Sequence, residues 1–559
     1  MNKLKLFNIE DLIPRMAELF RPKGYDLNTF GKDCVAGIIV GIVALPLSMA
    51  FSIAAGGSPA QGLYTAIIAG FFISALGGSR YQIGGPTGAF VVIIFGVIAQ
   101  HGMAGLIAAS VLAGIFLVLM GAFGLGRFIK YIPYPVTTGF TTGIGLLIFS
   151  QQIKDFMGLE IARSSPDFLK KWLEHFQAIA TIDFVTLAVG LGTMAIILVV
   201  RRFAPRIPAA ASGVLVVTIL CAVFKLDVQT IATRFGGIPN TLPAPDIPPL
   251  NFTVFRDVFP SALSIALLAA IESLLSAVVA DGMTGDRHNS NTELIAQGVG
   301  NIASAIFGGI PATGAIARTA TNIKAGAASP VAGIVHALTL VLFILFLSPA
   351  ASAIPLASLS AVLIIVSWDM SNIPRFIRII RTAPKSDASV LITTFLLTVL
   401  VDLSYAVIVG VLLAVFLFMR RMIEMADIRM ENDEFVSHLA FGDKEHSSGT
   451  IKALSNKDTD IFEISGPFFF GVADMLQNTL RHLSKTPKKI ILRMRSVPAV
   501  DSTGIAALES FFMSCQKQKI RLIITECGSQ PRKALIKSGF IELLGEENCI
   551  DSLDAAIDA

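Results

Sequence analysis

The sequence predicts a polytopic α-helical membrane protein, about fourteen segments arranged as two seven-segment halves of opposite topology, followed by a small soluble α/β domain. Three observations carry that expectation. Of 559 residues, 53% are hydrophobic and only 15% charged, with a mean hydropathy of +0.71, whereas soluble proteins carry roughly 25% charged residues. Apolar stretches of roughly 15–22 residues, the length that crosses hydrocarbon about 30 Å thick, recur from Cys34 to about Met419. An interrupted apolar motif occurs twice, as GGPTGAFVV from Gly84 to Val92 and as GGIPATGAIARTA from Gly308 to Ala320.

Residues 1–33 form a polar, partly amphipathic segment with no small-residue cleavage site after a short apolar core, so the first span is expected to be an anchor and not a removable signal. The transmembrane part is expected over residues 34–421, with repeats at about 34–224 and 260–421. Positive residues follow the even-numbered exits: Arg127 and Lys130, Arg201, Arg202 and Arg206, Arg287, Lys324, then Arg375, Arg378, Arg381 and Lys385, and finally Arg420 and Arg421. By the positive-inside rule both termini are expected in the cytoplasm, and the Pro-rich segment 239–250 outside. The five cysteines (Cys34, Cys221, Cys515, Cys527 and Cys549) show no CxxC and no ligand spacing, which argues against a disulfide framework and a zinc site. A net charge of +4 on a chain of this size suggests no nucleic-acid role.

Aligning Gly84 with Gly308 gives an offset of 224 residues, which also carries most of the first span onto residues 261–281. Seven spans per half is an odd number, so the halves insert in opposite senses, an inverted-topology repeat. After Arg421 a polar connector (422–458) leads to a soluble domain, 459–559. There the strand-like runs IFEISG, KKIILRM and RLIITEC alternate with the helix-like runs DMLQNTLRHLSK, TGIAALESFFMSCQ and PRKALIKSG.

The doubled interruption has a physical reading. Where a helix begins, its first N–H groups lack partners and the peptide dipoles leave about half a positive charge, so the end attracts anions. Gly84, Gly85 and Pro86 keep the first approach extended before a half-helix beginning at Thr87 or Gly88 and running through Ala89, Phe90 and Ile94. Pro311 to Gly314 do the same before Ala315, Ile316, Ala317 and Arg318. One copy alone reads as a tight turn; two at matching positions read as an anion site at the repeat interface. Irregular backbone at membrane depth is tolerated where it is buried or lines such a cavity.

Glu272 lies near the middle of an apolar span, where an ionised carboxylate costs about 3 kcal/mol or more unless paired or protonated. Under the repeat alignment it corresponds to Ser48. Arg318 adds a full positive charge beside the second dipole end, unless it holds a structural carboxylate or snorkels. A negative Glu272 opposes anion binding and a protonated one does not, so proton–anion symport is expected, with the proton as coupling ion and no cofactor, metal or catalytic residue. Sodium is the rival; Ser276 could serve it, but Ala315 and Ile316 offer no side-chain oxygen. Met49, Phe51 and Phe90 either close the pocket or pack. His101, His288 and His336 read as structural, and Asp402 as part of the last connection. In the soluble domain Asp501, Ser502 and Thr503 open a helix, with Asp501 as N-cap and Ser502 as a candidate phosphorylation site. No histidine stands near Ser502 in sequence as a general base, which argues against a hydrolase triad.

ALPLSMAFSIAAG, GGSRYQIGGPTGAF, the run AIESLLSAVVADGMTGDRHNSNTELIAQGVGN and GGIPATGAIARTATNIKAGA resemble the SulP (sulfate permease) family of anion transporters, over nearly the whole chain. ISGPFFF and DSTG resemble the STAS domain, which is similar to anti-sigma-factor antagonists. The resemblance implies a uracil-permease-like fold of core and gate domains, with an anion between the third and tenth segments and elevator-like movement of the core. Carried over by motif, the site comprises Ser48, Phe51, Thr87 to Phe90, Glu272 and Ala315 to Arg318, and Ser502 matches the serine phosphorylated in the antagonists. It also implies a multi-pass inner-membrane homodimer with a regulatory STAS domain open to a cytoplasmic partner. Leu47 follows Pro46 where many sulfate-carrying relatives have glutamine, a form that resembles bacterial members associated with dicarboxylate or bicarbonate uptake. The expected substrates are therefore small oxyanions: sulfate, bicarbonate or a C4-dicarboxylate.

Overall fold

The computed structural model describes residues 13–20, 25–127, 133–161, 165, 167–205, 207–245, 252–401, 403–424, 427–430, 459–469 and 487–559. The chain divides into two units, one ending at Ala414 and one beginning at Val415. The helix expected over DMLQNTLRHLSK, and Asp402, lie outside the described residues.

In the first unit the helices run α1 (Leu27–Ala54), α2 (Pro59–Leu76), α3 (Val91–Ala122), α4 (Tyr134–Met157), α5 (Phe168–Gln177), α6 (Phe184–Phe203), α7 (Ala209–Phe224) and the short α8 (Ile231–Phe235). A second series follows: α9 (Phe252–Thr284), α10 (Ser290–Ile306), α11 (Ile316–Lys324), α12 (Val331–Ser352), α13 (Leu356–Ser371), α14 (Ile373–Thr382), α15 (Lys385–Leu400) and α16 (Leu403–Glu424), within which the unit boundary falls. Two short strands, β1 (Gly84–Gly85) and β2 (Thr313–Gly314), occupy the interruptions. Gly102, at φ 67°, divides α3 into two parts, and the first part is then the counterpart of α11 and the second of α12. Counted so, the spans fall into two sets of seven, with the short helices α5 and α14 at equivalent places. Among the described residues, seven helices are long and apolar enough to cross a membrane by length and composition.

Local chemistry sets the boundaries. α1 starts at Leu27, seven residues before the apolar run, because Asp26 accepts a hydrogen bond from the Thr29 N–H (2.9 Å) and caps a polar first turn. α2 opens with a capping box of Ser58 and Gln61 and with Pro59 in its first turn. At its far end the two halves are tied together. Glu293 of α10, fully buried, accepts from the N–H groups of Gly78 (3.0 Å) and Ser79 (3.2 Å). Asp33 of α1, also fully buried, accepts from the N–H groups of Ala328 (2.7 Å) and Ser329 (3.1 Å) before α12. Each half thus supplies the carboxylate that satisfies orphan donors of the other.

Lipid tails are as apolar as the helices, so association depends on close packing. A Cβ on Gly298 would lie 2.5 Å from the Gly114 carbonyl oxygen, and one on Gly114 would lie 2.7 Å from that of Gly298, so α3 and α10 meet backbone to backbone. α1 and α2 meet as closely at Gly62, whose Cβ would lie 2.0 Å from the Ser48 oxygen.

The second unit holds a five-stranded sheet in the order β3 (Asp427–Met430), β4 (Thr459–Ser465), β5 (Lys489–Ser496), β6 (Arg521–Thr525) and β7 (Cys549–Ile550). β3 is antiparallel to β4 and the other pairs are parallel. β3 comes from the stretch read as connector; its four residues lack an apolar run, and only pairing with β4 makes them a strand. Phe462, Leu492 and Ile524 face a core with Phe511 of α17 (Ser502–Lys517) and Phe540 of α19 (Phe540–Leu544), and between these helices lies α18 (Ser529–Lys537). Ile491 and Ile523 face the other way, against Leu553 of α20 (Leu553–Asp558). Asp501 caps α17, accepting from the Gly504 N–H at 2.8 Å, and Ser502 and Thr503 are exposed. Gly504 is required, since a Cβ there would lie 2.3 Å from the Phe468 carbonyl oxygen.

Gly298→Val is expected to lower stability by about 1–3 kcal/mol or more, the usual range for overpacking, read as a clear fall in the thermal midpoint of detergent-solubilised protein. Gly192→Ala, where nothing lies within 4 Å of the added carbon, is the control and should leave the midpoint unchanged or raise it.

Candidate functional site: the paired half-helices

The two interruptions meet. β1 and β2 pair antiparallel, Gly84 with Gly314 and Gly85 with Thr313. The structural counterpart of Gly84–Gly85 is therefore Thr313–Gly314, an offset of 229 from Gly84 to Thr313, and not Gly308–Gly309 at 224. The difference has a local source: the N-cap of α2 is Ser58 and that of α10 is Asn289, already 231 apart, because α9 runs longer than α1 before the chain turns. With that shift Ala89 stands opposite Arg318, while Ser48 and Glu272 lie on α1 and α9, the first helices of the two halves.

Polar side chains supply the hydrogen bonds that a broken helix at this depth would otherwise lack. The Asn301 amide does the work of a neighbouring strand, donating to the Ala312 carbonyl and accepting from the Ala312 N–H, each at 2.8 Å. Gly314 N–H donates to Ser273 Oγ (3.1 Å), which shares a 2.6 Å bond with the Thr313 hydroxyl, and that hydroxyl reaches the Ala269 carbonyl (3.1 Å). Gln82 Nε2 donates to the Ser273 carbonyl at 3.1 Å. Ile83 N–H donates to Thr319 Oγ1 (3.1 Å), to which Ser276 also donates (3.2 Å). The sequence alone does not single out Gln82, Ser273, Asn301, Thr313 or Thr319; the signal it offers for them is small polar residues repeating inside otherwise apolar spans.

From this scaffold both half-helices start. Thr87 precedes a 3₁₀ turn, Gly88–Phe90, that leads into α3, and Ala315 precedes α11. In α11 the first intrahelical bond is Thr319 N–H to the Ala315 carbonyl, so the N–H groups of Ile316, Ala317 and Arg318 have no partner within the helix. Thr87 makes no capping bond with its side chain; its hydroxyl donates instead to Glu272 Oε2 at 3.0 Å. Glu272 is half-buried on α9, whereas Ile316 and Ala317 are exposed. Among the described residues no cation is paired with Glu272.

Arg318 does not stand free at its helix end. It is 2% exposed, and Nη2 donates to the Pro86 carbonyl (3.0 Å) and to Ser48 Oγ (3.3 Å). Nη1 lies 2.3 Å from where a Cβ on Gly85 would sit, and Gly85 has φ 154°, so glycine is needed there for space and for backbone alike. The guanidinium thus joins the second half-helix, the approach to the first and α1. The cross-links follow the repeat: the loop of the first half reaches Glu272 of the second, and Arg318 of the second reaches Ser48 of the first.

Met49, Phe51 and Phe90 are buried in the helical core with Ile144 and Ile148 of α4. A Cβ on Gly88 would lie 3.0 Å from Ile148 Cδ1 and Met370 Sδ and 3.2 Å from Phe51, so α4 and α13 press against the start of the first half-helix. Phe51 lies at that contact, while Phe90 is wholly enclosed and packs. His288 bonds Asp281 (2.7 Å) and Ser290 (2.9 Å), a structural role.

The Sulfate permease family profile matches residues 30–394 and the STAS domain profile residues 450–556. The protein of Bacillus subtilis (strain 168) named "Putative sulfate transporter YvdB" is 43% identical over 536 residues, covering 96% of this chain and 98% of the relative. The bicarbonate transporter BicA of a Picosynechococcus strain is 30% identical over 547 residues, covering 94% of each. In fold, the inward-facing murine Solute Carrier 26 family member A9 anion transporter superimposes with a TM-score of 0.84 at 18% identity, over 100% of this chain and 95% of that one. With profile, relatives and fold in agreement, the chain belongs to the sulfate permease family of membrane anion transporters and carries a C-terminal STAS domain.

Proposed function

We propose that the protein is a secondary active transporter that takes up a small oxyanion (sulfate, bicarbonate or a C4-dicarboxylate) together with a proton. The observation that carries this reading is the 3.0 Å bond from Thr87 to Glu272, which puts a carboxyl group against the cap of an anion-attracting helix end. The anion sits between the N–H groups following Thr87 and those of Ala315 to Arg318, with Phe51 at its edge. Ser48 fixes the Arg318 guanidinium. An ionised Glu272 repels the anion, and protonation removes that repulsion. Anion and proton affinities therefore rise together, by a coupling on the order of 1–3 kcal/mol, or about 5–150-fold.

Sodium needs a cage of oxygen ligands. The hydroxyls of Ser273 and Thr313 are engaged with each other and with backbone, and that of Ser276 donates to Thr319 Oγ1; Ala315 and Ile316 carry no side-chain oxygen, which supports the proton. The core helices, moving as an elevator against α4 and α13, carry the site across. The working form is an inner-membrane homodimer with both termini cytoplasmic, and its STAS domain is regulatory, with Ser502 exposed at the start of α17 for phosphorylation or partner binding.

Proteoliposome uptake of sulfate, bicarbonate, fumarate and succinate tests this. An inward proton gradient is expected to drive accumulation of one of them, and Glu272→Gln to abolish that accumulation while leaving anion exchange intact. Accumulation indifferent to the gradient and to the mutation contradicts proton coupling and favours an exchanger or channel.

Arg318→Lys keeps the charge but loses the planar donor set that reaches Pro86 and Ser48. It is expected to raise KM roughly tenfold or more, the cost of a charge-assisted hydrogen bond, with a smaller change in kcat.

A further inference from the structure

Away from the paired half-helices, a cavity of about 330 Å³ lies between α4, α5, α6 and α13, at the small end of ligand-sized pockets. Its lining is apolar except for one group. Phe156 of α4, Trp172 of α5 and Met194 of α6 form its walls, with His175 among them. His175 is 4% exposed and both of its ring nitrogens are buried without a hydrogen-bond partner among the described residues. An unpaired imidazole in an apolar cavity costs about 1–3 kcal/mol, so a polar atom of an occupant is the natural complement. Trp172, whose Nε1 donates to Ser150 Oγ at 3.1 Å, packs edge-on to the imidazole and fixes it from one side.

The cavity rim is also apolar and exposed: Phe149 is 37% accessible, Leu191 51% and Phe176 63%. On a membrane-spanning unit such a rim faces hydrocarbon, so the occupant enters from the bilayer. An apolar chain fills the walls, and one acceptor near its head meets His175.

We propose that this cavity is a lipid site holding one acyl chain of a glycerolipid, with the ester carbonyl accepting a hydrogen bond from His175. Neither the anion site nor the coupling proposal is needed for this, because no residue of the cavity belongs to them. The occupant lies between α5 and helices α4, α6 and α13, so its binding stiffens that side of the membrane unit.

The test uses the full-length protein in nanodiscs containing dipalmitoyl phosphatidylcholine or its diether analogue, which lacks the carbonyl, with retained lipid counted by native mass spectrometry. Wild type is expected to retain the diester about fivefold better than the diether, the size of one ordinary hydrogen bond. His175→Phe should abolish the preference, and Met194→Trp, which fills the cavity, should reduce retention of both lipids. Equal retention of diester and diether by wild type overturns the proposal, as does unchanged retention in Met194→Trp. Displacement of the diester by equimolar palmitate also overturns it, since the occupant would then be a free acid. Should His175→Phe not fold, the wild-type comparison of the two lipids still decides.

Discussion

Everything at the centre of this protein depends on one constraint: a helix broken in hydrocarbon must have its freed N–H and C=O groups satisfied. The chain breaks two helices and joins the breaks to each other, Gly84 with Gly314 and Gly85 with Thr313. Side chains complete what two residue pairs cannot. Asn301 imitates a third strand for Ala312, Ser273 holds Gly314, and Thr319 holds Ile83. With the approach side satisfied internally, the N–H groups of Ile316 to Arg318 have no partner within their helix, and on the proposed reading such donors are what an anion meets.

The inverted repeat makes this economical in chemistry but unequal in charge. Ser48 and Glu272 occupy equivalent helices, Phe90 and Arg318 equivalent half-helices. The first half contributes a hydroxyl and a ring, the second a carboxylate and a guanidinium. Each charged group reaches across to the other half, Glu272 receiving the Thr87 hydroxyl and Arg318 binding Ser48 and Pro86. A charge in a symmetric scaffold breaks the symmetry of function, and both are within the half that ends in the STAS domain.

Much of this was legible in the sequence because its signals are strong in a membrane protein. Glycine and proline inside an apolar run, an acidic residue at Glu272 and the recurrence of the motif each contradict their surroundings. The register of the repeat at the interruptions was not legible. Loop lengths drift, so two Gly-Gly pairs that look equivalent are not, and Thr313–Gly314 takes the place assigned to Gly308–Gly309. The partners of Arg318 were hidden as well, because a guanidinium reaches far enough to choose among several carbonyls, and only packing at Gly85 decides which. β3 gave no signal, being four residues whose structure comes wholly from pairing with β4.

In the proposed mechanism the anion lies between the two helix starts. Anomalous diffraction from crystals equilibrated with selenate and, separately, with bromide tests that placement. A peak is expected, with at least one of the two probes, within about 3.5–4.5 Å of backbone nitrogens on both sides, the N–H···O distance lengthened for selenate by one Se–O bond, from Gly88 or Ala89 and from Ile316 to Arg318. A peak confined to one helix start, or ordered anions only elsewhere in the membrane unit, would contradict it.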